Sequence, residues 1–396
     1  MTQGPDEERL GIARYSYRLR ASSSAQAALL AEWDRCRWVW NQCVAASQAA
    51  HQAGQECGPA ALDKMLTVWR REREWLSAGG SVPQQQIVRD FGRSRAKALK
   101  DIRNRVPVKR RAGMPKFKKK DSADPTLNYT LRGFRIKDGR LHLAGGTVVT
   151  VVWSRDLPSA PSSVRVYRDS LGHWYASFVV EARIESLPAT GEAIGIDWGV
   201  RQIATTTSDV HDLPSAGYGK RAKESLTRYD RMMARRRTGK GKPTSKGYRQ
   251  AKRLRAKAYA KVARQRQDTA RKWAKRVVTD FDVIAVEDFR PKFLSQGTMA
   301  RAAADAAIGA AKTALLEMGR KHGRDVRLVY PAHTTMDCAQ CGARAKHALP
   351  LSERTYNCVA CGALSERDKN SARVMLLRAG LNPDGADRIR PAGPQG

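Results

Sequence analysis

Two CxxC pairs near the end of the chain constrain its fold more than any other feature of the sequence. Cys338 and Cys341 form the first pair, and Cys358 and Cys361 form the second after sixteen intervening residues. Structural zinc is held by four deprotonated sulfur ligands in a tetrahedron, and two CxxC turns at zinc-ribbon spacing supply them. The alternative, four free thiols, requires two matched CxxCG repeats to arise by chance. The sequence therefore predicts one zinc ion in a closed, structural site.

The remaining cysteines and the hydropathy profile bear on the cellular compartment. Cys36, Cys43 and Cys57 do not complete a four-ligand set, so we expect packed thiols. Seven cysteines is an odd count, and four at metal spacing suit a reducing cytoplasm better than a disulfide scaffold. No apolar run approaches 18 residues, and the polar, acidic N-terminus does not resemble a signal peptide. We expect a cytoplasmic, nucleoid-associated protein that does not contact membranes.

Charge indicates the class of partner. The chain of 396 residues has 73 Lys and Arg against 38 Asp and Glu, a net charge of +35. A compact protein with this surplus repels itself unless a polyanion neutralises it, and nucleic acid is the natural candidate. A soluble basic protein without a polyanion partner is the plain alternative. A membrane-surface protein is disfavoured because the cations are not confined to one amphipathic helix.

The order of patterns along the chain predicts an α/β multidomain protein. A strand-like alternation over residues 12–20 precedes three helical blocks, the second over residues 60–76, so residues 21–105 are expected to form a helical bundle. Short β-like runs separated by glycine, aspartate and proline follow within residues 106–188, the first over residues 127–136. They predict a small antiparallel barrel to which the first strand belongs, with the bundle inserted between its first two strands. A long, basic helical hairpin over residues 221–278 and an Ala-rich helix over residues 299–322 follow.

Three acids stand where strands end or a helix begins. Asp197 and Glu287 each terminate an apolar strand, and Asp368 stands at the start of a helix. Residues at the carboxyl ends of neighbouring strands meet in one crevice of an α/β sheet. Three acids there can hold two Mg²⁺ about 4 Å apart for in-line phosphodiester hydrolysis. The competing interpretation gives each acid a surface or capping role, with Asp368 as an N-cap and Glu287 paired to an arginine.

Together these motifs resemble those of a known family. GIDWGVRQIATTTS, VIAVEDF, CxxC-x16-CxxC and RDKNSA are similar to the three RuvC-type nuclease motifs and the zinc ribbon of the TnpB/OrfB proteins of insertion sequences. They also resemble miniature type V CRISPR effectors. CRWVWNQC, GMPKFKKKD and RQRQD match further parts of the family pattern, so the resemblance covers nearly the whole chain.

The resemblance implies an RNA-guided DNA endonuclease with an RNase H-like (RuvC) domain, a zinc-ribbon insertion, and a wedge β-barrel carrying a helical recognition bundle. Its implied boundaries are residues 1–20 and 106–188 for the wedge, 21–105 for the recognition bundle, 189–330 and 367–380 for the RuvC-like domain, 331–366 for the zinc ribbon, and 381–396 for a disordered tail.

The implied roles fall on named residues. Asp197, Glu287 and Asp368 would be the catalytic acids and the ligands of two Mg²⁺ ions, and the four cysteines would bind zinc. The implied partners are a guide RNA from the transposon end and a double-stranded DNA target, and we expect a monomer. The predicted nucleic-acid contacts are Lys109, Arg110, Arg111, Lys116, Lys118, Lys119, Lys120, Arg235, Arg236, Arg237, Arg264 and Arg266.

Two departures from the family pattern leave this expectation intact. Glu366 stands where the family usually has aspartate, and residues 370–372 read NSA in place of NAA. Neither change removes a catalytic acid, so we predict an active nuclease. The alternatives are a CRISPR-associated effector nuclease, and a nucleic-acid-binding protein or repressor that does not cleave.

Overall fold

The computed structural model describes residues 10–108, 111–120, 124–239, 242–289, 300–347, 349–350 and 352–381. The chain divides into two compact units, one of Leu10–Arg183 and one that includes Ile184–Gly396. The predicted tail at 381–396 lies outside the described residues except for Leu381, which is buried.

A seven-stranded antiparallel sheet and a helical bundle make up the described part of the first unit. The strands are β1 (Leu10–Arg20), β2 (Thr126–Thr130), β3 (Phe134–Lys137), β4 (Arg140–Leu143), β5 (Val148–Val152), β6 (Ser163–Arg168) and β7 (Trp174–Arg183). The helices are α1 (Ser23–Gln52), α2 (Pro59–Glu72), α3 (Glu74–Ser77) and α4 (Ser81–Arg103). Strand order is β2-β6-β7-β1-β5-β4-β3, so the helices are inserted after the sheet's central strand.

The sheet curves back on itself as a nearly closed barrel. Its two edge strands, β2 and β3, are consecutive in the chain and are separated only by the 3-10 turn Leu131–Gly133. Side chains of β1, β2, β5, β6 and β7 share one apolar core with α1 and α4, including Tyr17 and Phe178. The alternation of buried and exposed residues along these strands follows from the pleat, which turns successive side chains to opposite faces.

A five-stranded mixed sheet organises the second unit. Its strands are β8 (Ala193–Trp198), β9 (Gln202–Thr206), β10 (Leu213–Pro214), β11 (Val283–Glu287) and β12 (Asp325–Val329), in the order β10-β9-β8-β11-β12. The helices are α5 (Tyr218–Arg235), α6 (Lys246–Asp280), α7 (Ala300–Ala306), α8 (Ile308–Lys321) and α9 (Arg367–Arg378). A hairpin of β13 (Thr355–Asn357) and β14 (Leu364–Glu366) precedes α9. Strands β8, β11 and β12 are parallel, and β8 and β11 are buried along their whole length, as expected of strands covered on both faces, whereas the edge strand β12 is partly exposed.

Three predicted elements are interrupted in the structure. The Ala-rich helix predicted over 299–322 is two helices, because Ala307 takes a left-handed conformation with φ of 53° and ends the first. The helix predicted over 60–76 breaks at Arg73, whose backbone is extended and whose guanidinium lies 5.1 Å from the Trp38 ring centroid. The strand run predicted over 127–136 is divided by the turn at Leu131–Gly133. At Arg73 the contact with Trp38 accompanies the break, so a tertiary contact overrides a local helix preference there.

Candidate active site and cysteine knuckle

Two of the predicted acids lie side by side at one edge of the mixed sheet. Strands β8 and β11 run parallel, with Ile196 opposite Val286. Asp197 and Glu287 are the next residues of the two strands, so both come to the same edge of the sheet. Both are nearly enclosed, with 9% and 7% of their surface exposed. The paired strands therefore fix the backbone beneath both carboxylates.

Helix α9 brings the third acid to the same place. The helix packs across β8, and its approach requires Gly195, where an added Cβ would lie 2.0 Å from the Ala372 carbonyl oxygen. Asp368 is in the first turn of this helix. Its charge contributes to raising the pKa of Asp197, which shows that the two groups are close enough to interact. The glycine of the GID motif thus has a packing role that the sequence alone did not indicate.

The electrostatics of the site disfavour three free negative charges. Burial raises the pKa of Asp197 well above its usual range, and the charges of Glu287 and Asp368 raise it further. Burial also raises the pKa of Glu287, although the Lys312 ammonium opposes the shift. A divalent cation relieves this type of repulsion, so the donor set fits a hard, oxygen-binding metal ion.

The three carboxylates form an open arrangement. Among the described residues, a set of ligand atoms that all lie within 4.8 Å of one another is found at the cysteines and not at the acids. Asp368 is contacted by Arg367 Nε at 3.2 Å and by Arg354 Nη1 at 3.5 Å.

The alternative roles for these acids find no support in the described contacts. The N-cap of α9 is Glu366, so Asp368 does not cap the helix. Within the described ion pairs, no arginine is bound to Glu287. Its carboxylate instead accepts a hydrogen bond from the backbone N–H of Trp198, which also faces the Asp197 carboxylate.

Trp198 is a site residue that sequence reasoning missed. Its indole Nε1–H donates to the Glu287 carbonyl oxygen at 3.0 Å, and its ring lies edge-on to Trp273 with centroids 5.9 Å apart. The side chain is 6% exposed. Trp198 therefore joins the ends of β8 and β11 where the two acids emerge. In the sequence, the position of Trp198 directly after Asp197 could have indicated that it belongs to the site.

Lys369 was also missed and follows Asp368 directly. Its ammonium donates to the Thr206 carbonyl oxygen and to Asp212 Oδ2, both at 2.9 Å, and lies 2.5 Å from Asp209. The side chain is 13% exposed. These bonds fasten the start of α9 to the end of β9 and to the turn that follows it.

The four cysteines form a compact knuckle. Their sulfur atoms all lie within 4.8 Å of one another, and the Cys338–Cys361 and Cys341–Cys358 pairs are 3.8 Å and 3.6 Å apart. Zinc with four sulfur ligands at about 2.3 Å gives neighbouring sulfurs about 3.8 Å apart, so the cluster fits a tetrahedral zinc ion.

The knuckle is built from two turns of the same form. Cys338 N–H donates to the Ala343 carbonyl oxygen in the first turn, as Cys358 N–H does to that of Ala363 in the second. Gly342 and Gly362 take left-handed conformations with φ of 73° and 74°, which glycine adopts without strain. Hydrogen bonds from the backbone, chiefly that of Cys361, lower the pKa of Cys358 to about 6. The CxxCG pattern thus supplies both the ligands and their geometry.

The predicted nucleic-acid contacts remain predictions. Lys109 and Arg110 lie outside the described residues. Several of the others have partners within the chain. The Lys118 ammonium lies 4.2 Å from the Trp40 ring centroid, and burial lowers its pKa; Arg266 forms an ion pair with Asp305 at 2.8 Å. Arg111 Nε donates to the Val106 carbonyl oxygen and Arg236 Nη1 to that of Gly247, both at 3.2 Å. The predicted set is completed by Lys116, Lys119, Lys120, Arg235, Arg237 and Arg264. Across the described residues, no helix is long and apolar enough to cross a membrane.

Comparison with known proteins shows which family the chain resembles. Residues 177–295 match the OrfB_IS605 family, described as a probable transposase, and residues 309–375 match the TNB domain of Cas12f1-like proteins. A protein of Streptomyces pristinaespiralis, provisionally named an RNA-guided DNA endonuclease, is 28% identical over 388 residues, which cover 95% of this chain and 92% of that protein. The chain is thus similar to the OrfB family over residues 177–295. This confirms the resemblance inferred from the motifs.

Two further matches extend the comparison. InsQ of Escherichia coli strain K12, also provisionally named an RNA-guided DNA endonuclease, is 26% identical over 387 residues, covering 92% of each chain. A cryo-EM structure of a Cas12f1–sgRNA–target DNA complex is similar with a TM-score of 0.53 and 11% identity, over 92% of this chain and 98% of that one. The likeness to that structure is one of fold. The first family match contains Asp197 and Glu287, and the second contains the cysteine knuckle and Asp368.

Proposed function

We propose that this chain is an RNA-guided DNA endonuclease of the TnpB type that hydrolyses phosphodiester bonds next to a short flanking DNA motif. The observation that carries the proposal is the meeting of Asp197, Glu287 and Asp368 at one edge of the mixed sheet. The names of the two full-length relatives support the same activity.

The second unit would be an RNase H-like, RuvC-type domain. Its parallel strands β8, β11 and β12, with antiparallel β9 and β10 beyond β8, place two acids on adjacent strand ends. The knuckle would be a zinc-ribbon insertion between β12 and α9 that also contacts the target nucleic acid. In the first unit, the barrel and the inserted helices would act as the wedge and recognition domains.

The chain's own residues would organise the chemistry. Asp197, Glu287 and Asp368 would hold two Mg²⁺ ions, which when bound supply an activated water and stabilise the leaving 3′ oxygen. Trp198 would keep the two strand-end acids in register through its bond to the Glu287 carbonyl oxygen. Lys312 lowers the cost of the Glu287 charge and is itself held by an ion pair with Asp288.

The partners would be a guide RNA and double-stranded DNA. The net charge of +35 suits a complex with this much polyanion, and guided proteins read the backbone of the heteroduplex more than its bases. We propose a guide derived from the transposon end, and a monomeric protein associated with the nucleoid.

A CRISPR-associated effector is the second candidate, favoured by the match of residues 309–375 to a Cas12f1-like domain. A DNA-binding protein without cleavage activity is disfavoured. Three interacting acids, two of them buried, are costly to a fold that does not use them, since unpaired buried charges destabilise it.

Sequencing the RNA that co-purifies with the protein tests the proposal. We expect one RNA species that ends in a variable guide and derives from the end of the encoding transposon. An RNA from a repeat array would favour the CRISPR candidate. Random cellular RNA, together with cleavage of DNA that no bound RNA matches, would contradict guided cleavage.

The second part of the test is the Asp197→Ala variant. We expect it to retain the RNA and to lose Mg²⁺-dependent cleavage of a matched plasmid. Undiminished cleavage by this variant would show that Asp197 is not a catalytic acid.

A further inference from the structure

Asn370 links the cysteine knuckle to the helix that carries Asp368. Its side chain is buried, with 3% of the residue exposed, and both of its polar atoms are used. Oδ1 accepts from the Ala339 N–H at 3.0 Å, and Nδ2 donates to the Asp337 carbonyl oxygen at 2.8 Å. These two peptide groups flank Cys338. Asn370 thus holds the backbone of a zinc ligand from both sides.

Lys369, the residue before Asn370, attaches the same turn of α9 to a different part of the second unit. Lys369 binds the end of β9, whereas Asn370 binds the knuckle, and Asp368 precedes both. Side chains at successive helical positions point in different directions, so adjacent residues can attach one turn to two neighbours. The position of Asp368 therefore depends on both attachments.

We propose that Asn370 is a positioning residue that couples the ion held by the cysteines to the affinity of the three carboxylates for divalent cations. The inference rests on the proposed function, because it assumes that Asp197, Glu287 and Asp368 bind such ions. Without the knuckle ion, the segment around Cys338 is no longer fixed by its sulfur. Asn370 then transmits this loss of order to the turn that carries Asp368.

Coupling between two sites is reciprocal and has a measurable size. An ion in one site changes the affinity of the other by the same factor in both directions, and typical couplings of this kind are about 5- to 150-fold. We expect the intact chain to bind divalent cations at the carboxylates more tightly with zinc present than without it, by a factor in that range. Replacing Asn370 should bring the factor close to one.

The test uses the purified full-length chain with no nucleic acid, so it does not depend on cleavage. Mn²⁺ is titrated into zinc-loaded and zinc-stripped protein, and free Mn²⁺ is followed by electron paramagnetic resonance. The ratio of the two dissociation constants is compared between the unsubstituted chain and Asn370→Ala. Asn370→Asp is a second variant, which retains the acceptor for Ala339 N–H and replaces the donor to Asp337 with an oxygen.

Ser371→Ala is the matched control. Ser371 is equally buried and adjacent, but its hydroxyl bonds to Thr334 and Arg367 rather than to the peptides around Cys338. We expect this variant to keep the ratio of the unsubstituted chain, even if its melting temperature falls as much as that of Asn370→Ala. A role for Asn370 in stability alone would lower the melting temperature without changing the ratio.

Two outcomes overturn the inference, and they are distinguishable. An unchanged ratio in both Asn370 variants would refute the coupling and leave the proposed nuclease intact. Asp197→Ala identifies the Mn²⁺ site, and we expect this variant to lose tight binding. Unaltered Mn²⁺ binding in Asp197→Ala would refute the carboxylate ion site itself, and the coupling with it.

Discussion

The cysteine knuckle and the carboxylate site hold their ligand groups in opposite ways. Four sulfurs from two short turns lie within 4.8 Å of one another, whereas three acids from two strands and a helix do not meet this spacing. The knuckle is assembled by local hydrogen bonds over a short segment, while Asp197 and Asp368 are 171 positions apart. A closed site is therefore built by local geometry, and an open site is built by the topology of the sheet.

The pKa shifts of the ligand groups also differ between the knuckle and the carboxylate site. In the knuckle, hydrogen bonds from the backbone, chiefly that of Cys361, lower the pKa of Cys358 to about 6, whereas the neighbouring sulfurs raise the pKa of Cys361 to about 12. The sulfurs of the knuckle already have the spacing that a tightly bound metal ion requires. In the carboxylate site, burial raises the pKa of Asp197 and of Glu287, and the charges of Glu287 and Asp368 raise that of Asp197 further. If the carboxylate site binds catalytic ions, as we propose, their charge would relieve this repulsion.

The largest expected effect comes from the open site. Asp197→Asn removes one negative charge at nearly constant volume, and we expect cleavage to fall by about 10³-fold or more because an ion ligand is lost. Because repulsion is relieved, the melting temperature without divalent cations should rise. Plasmid cleavage and thermal unfolding measure the two effects. If Asp197→Asn unfolded at a lower temperature and cleaved normally, Asp197 would be a stabilising residue and not an ion ligand.

Replacing a cysteine of the knuckle should lower the zinc content of the protein. We expect about one zinc per chain by elemental analysis, and Cys338→Ser should lose most of it because a three-sulfur site binds zinc far less tightly. We expect cleavage to fall by about 10- to 100-fold as Asp368 loses its support. Cys36→Ala is the control, since Cys36 lies in the apolar core of the first unit and should not affect zinc. Equal zinc content in the two variants would remove the knuckle assignment.

Lys369 tests the attachment of α9 to the mixed sheet. Lys369→Met retains the aliphatic stem but loses bonds to Thr206 and Asp212, each assisted by the ammonium charge. Such bonds contribute about 1.5–3 kcal/mol, so we expect a loss of about 10- to 100-fold in cleavage, with zinc content unchanged. Lys321→Met, at a half-exposed lysine on α8, should change cleavage less than about two-fold. A similar loss in both variants would indicate a general charge effect.

The smallest effect should come from Trp198. Trp198→Phe keeps an aromatic ring against Trp273 and removes only the bond to the Glu287 carbonyl oxygen, so we expect about a two- to ten-fold loss of the cleavage rate at saturating DNA. Trp153→Phe is matched, because it loses an equivalent bond to the Gly139 carbonyl oxygen in the first unit. Rates reduced equally in both variants would count against a positioning role for Trp198.

The sequence predicted the acids and the cysteines that the structure brings together. It did not indicate the side chains that hold them in position. Asp197 and Glu287 were predictable because apolar strands ended in them, Asp368 because it stood at the start of a helix, and the cysteines because their spacing is local. Lys369 and Asn370 were missed because their partners are distant in sequence, with 163 positions between Lys369 and Thr206. The break at Ala307 was also unpredictable, since alanine favours helix continuation and a left-handed conformation is uncommon for it.

Programmed cleavage is the most direct measurement of the central claim. Purified protein with its co-purified RNA and Mg²⁺ is given a plasmid that matches the RNA next to a randomised flanking sequence, and a second plasmid with the match scrambled. Guided cleavage by the three carboxylates predicts cutting of the matched plasmid alone, with none by Asp197→Asn. Equal cutting of both plasmids, or undiminished cutting by Asp197→Asn, would contradict it.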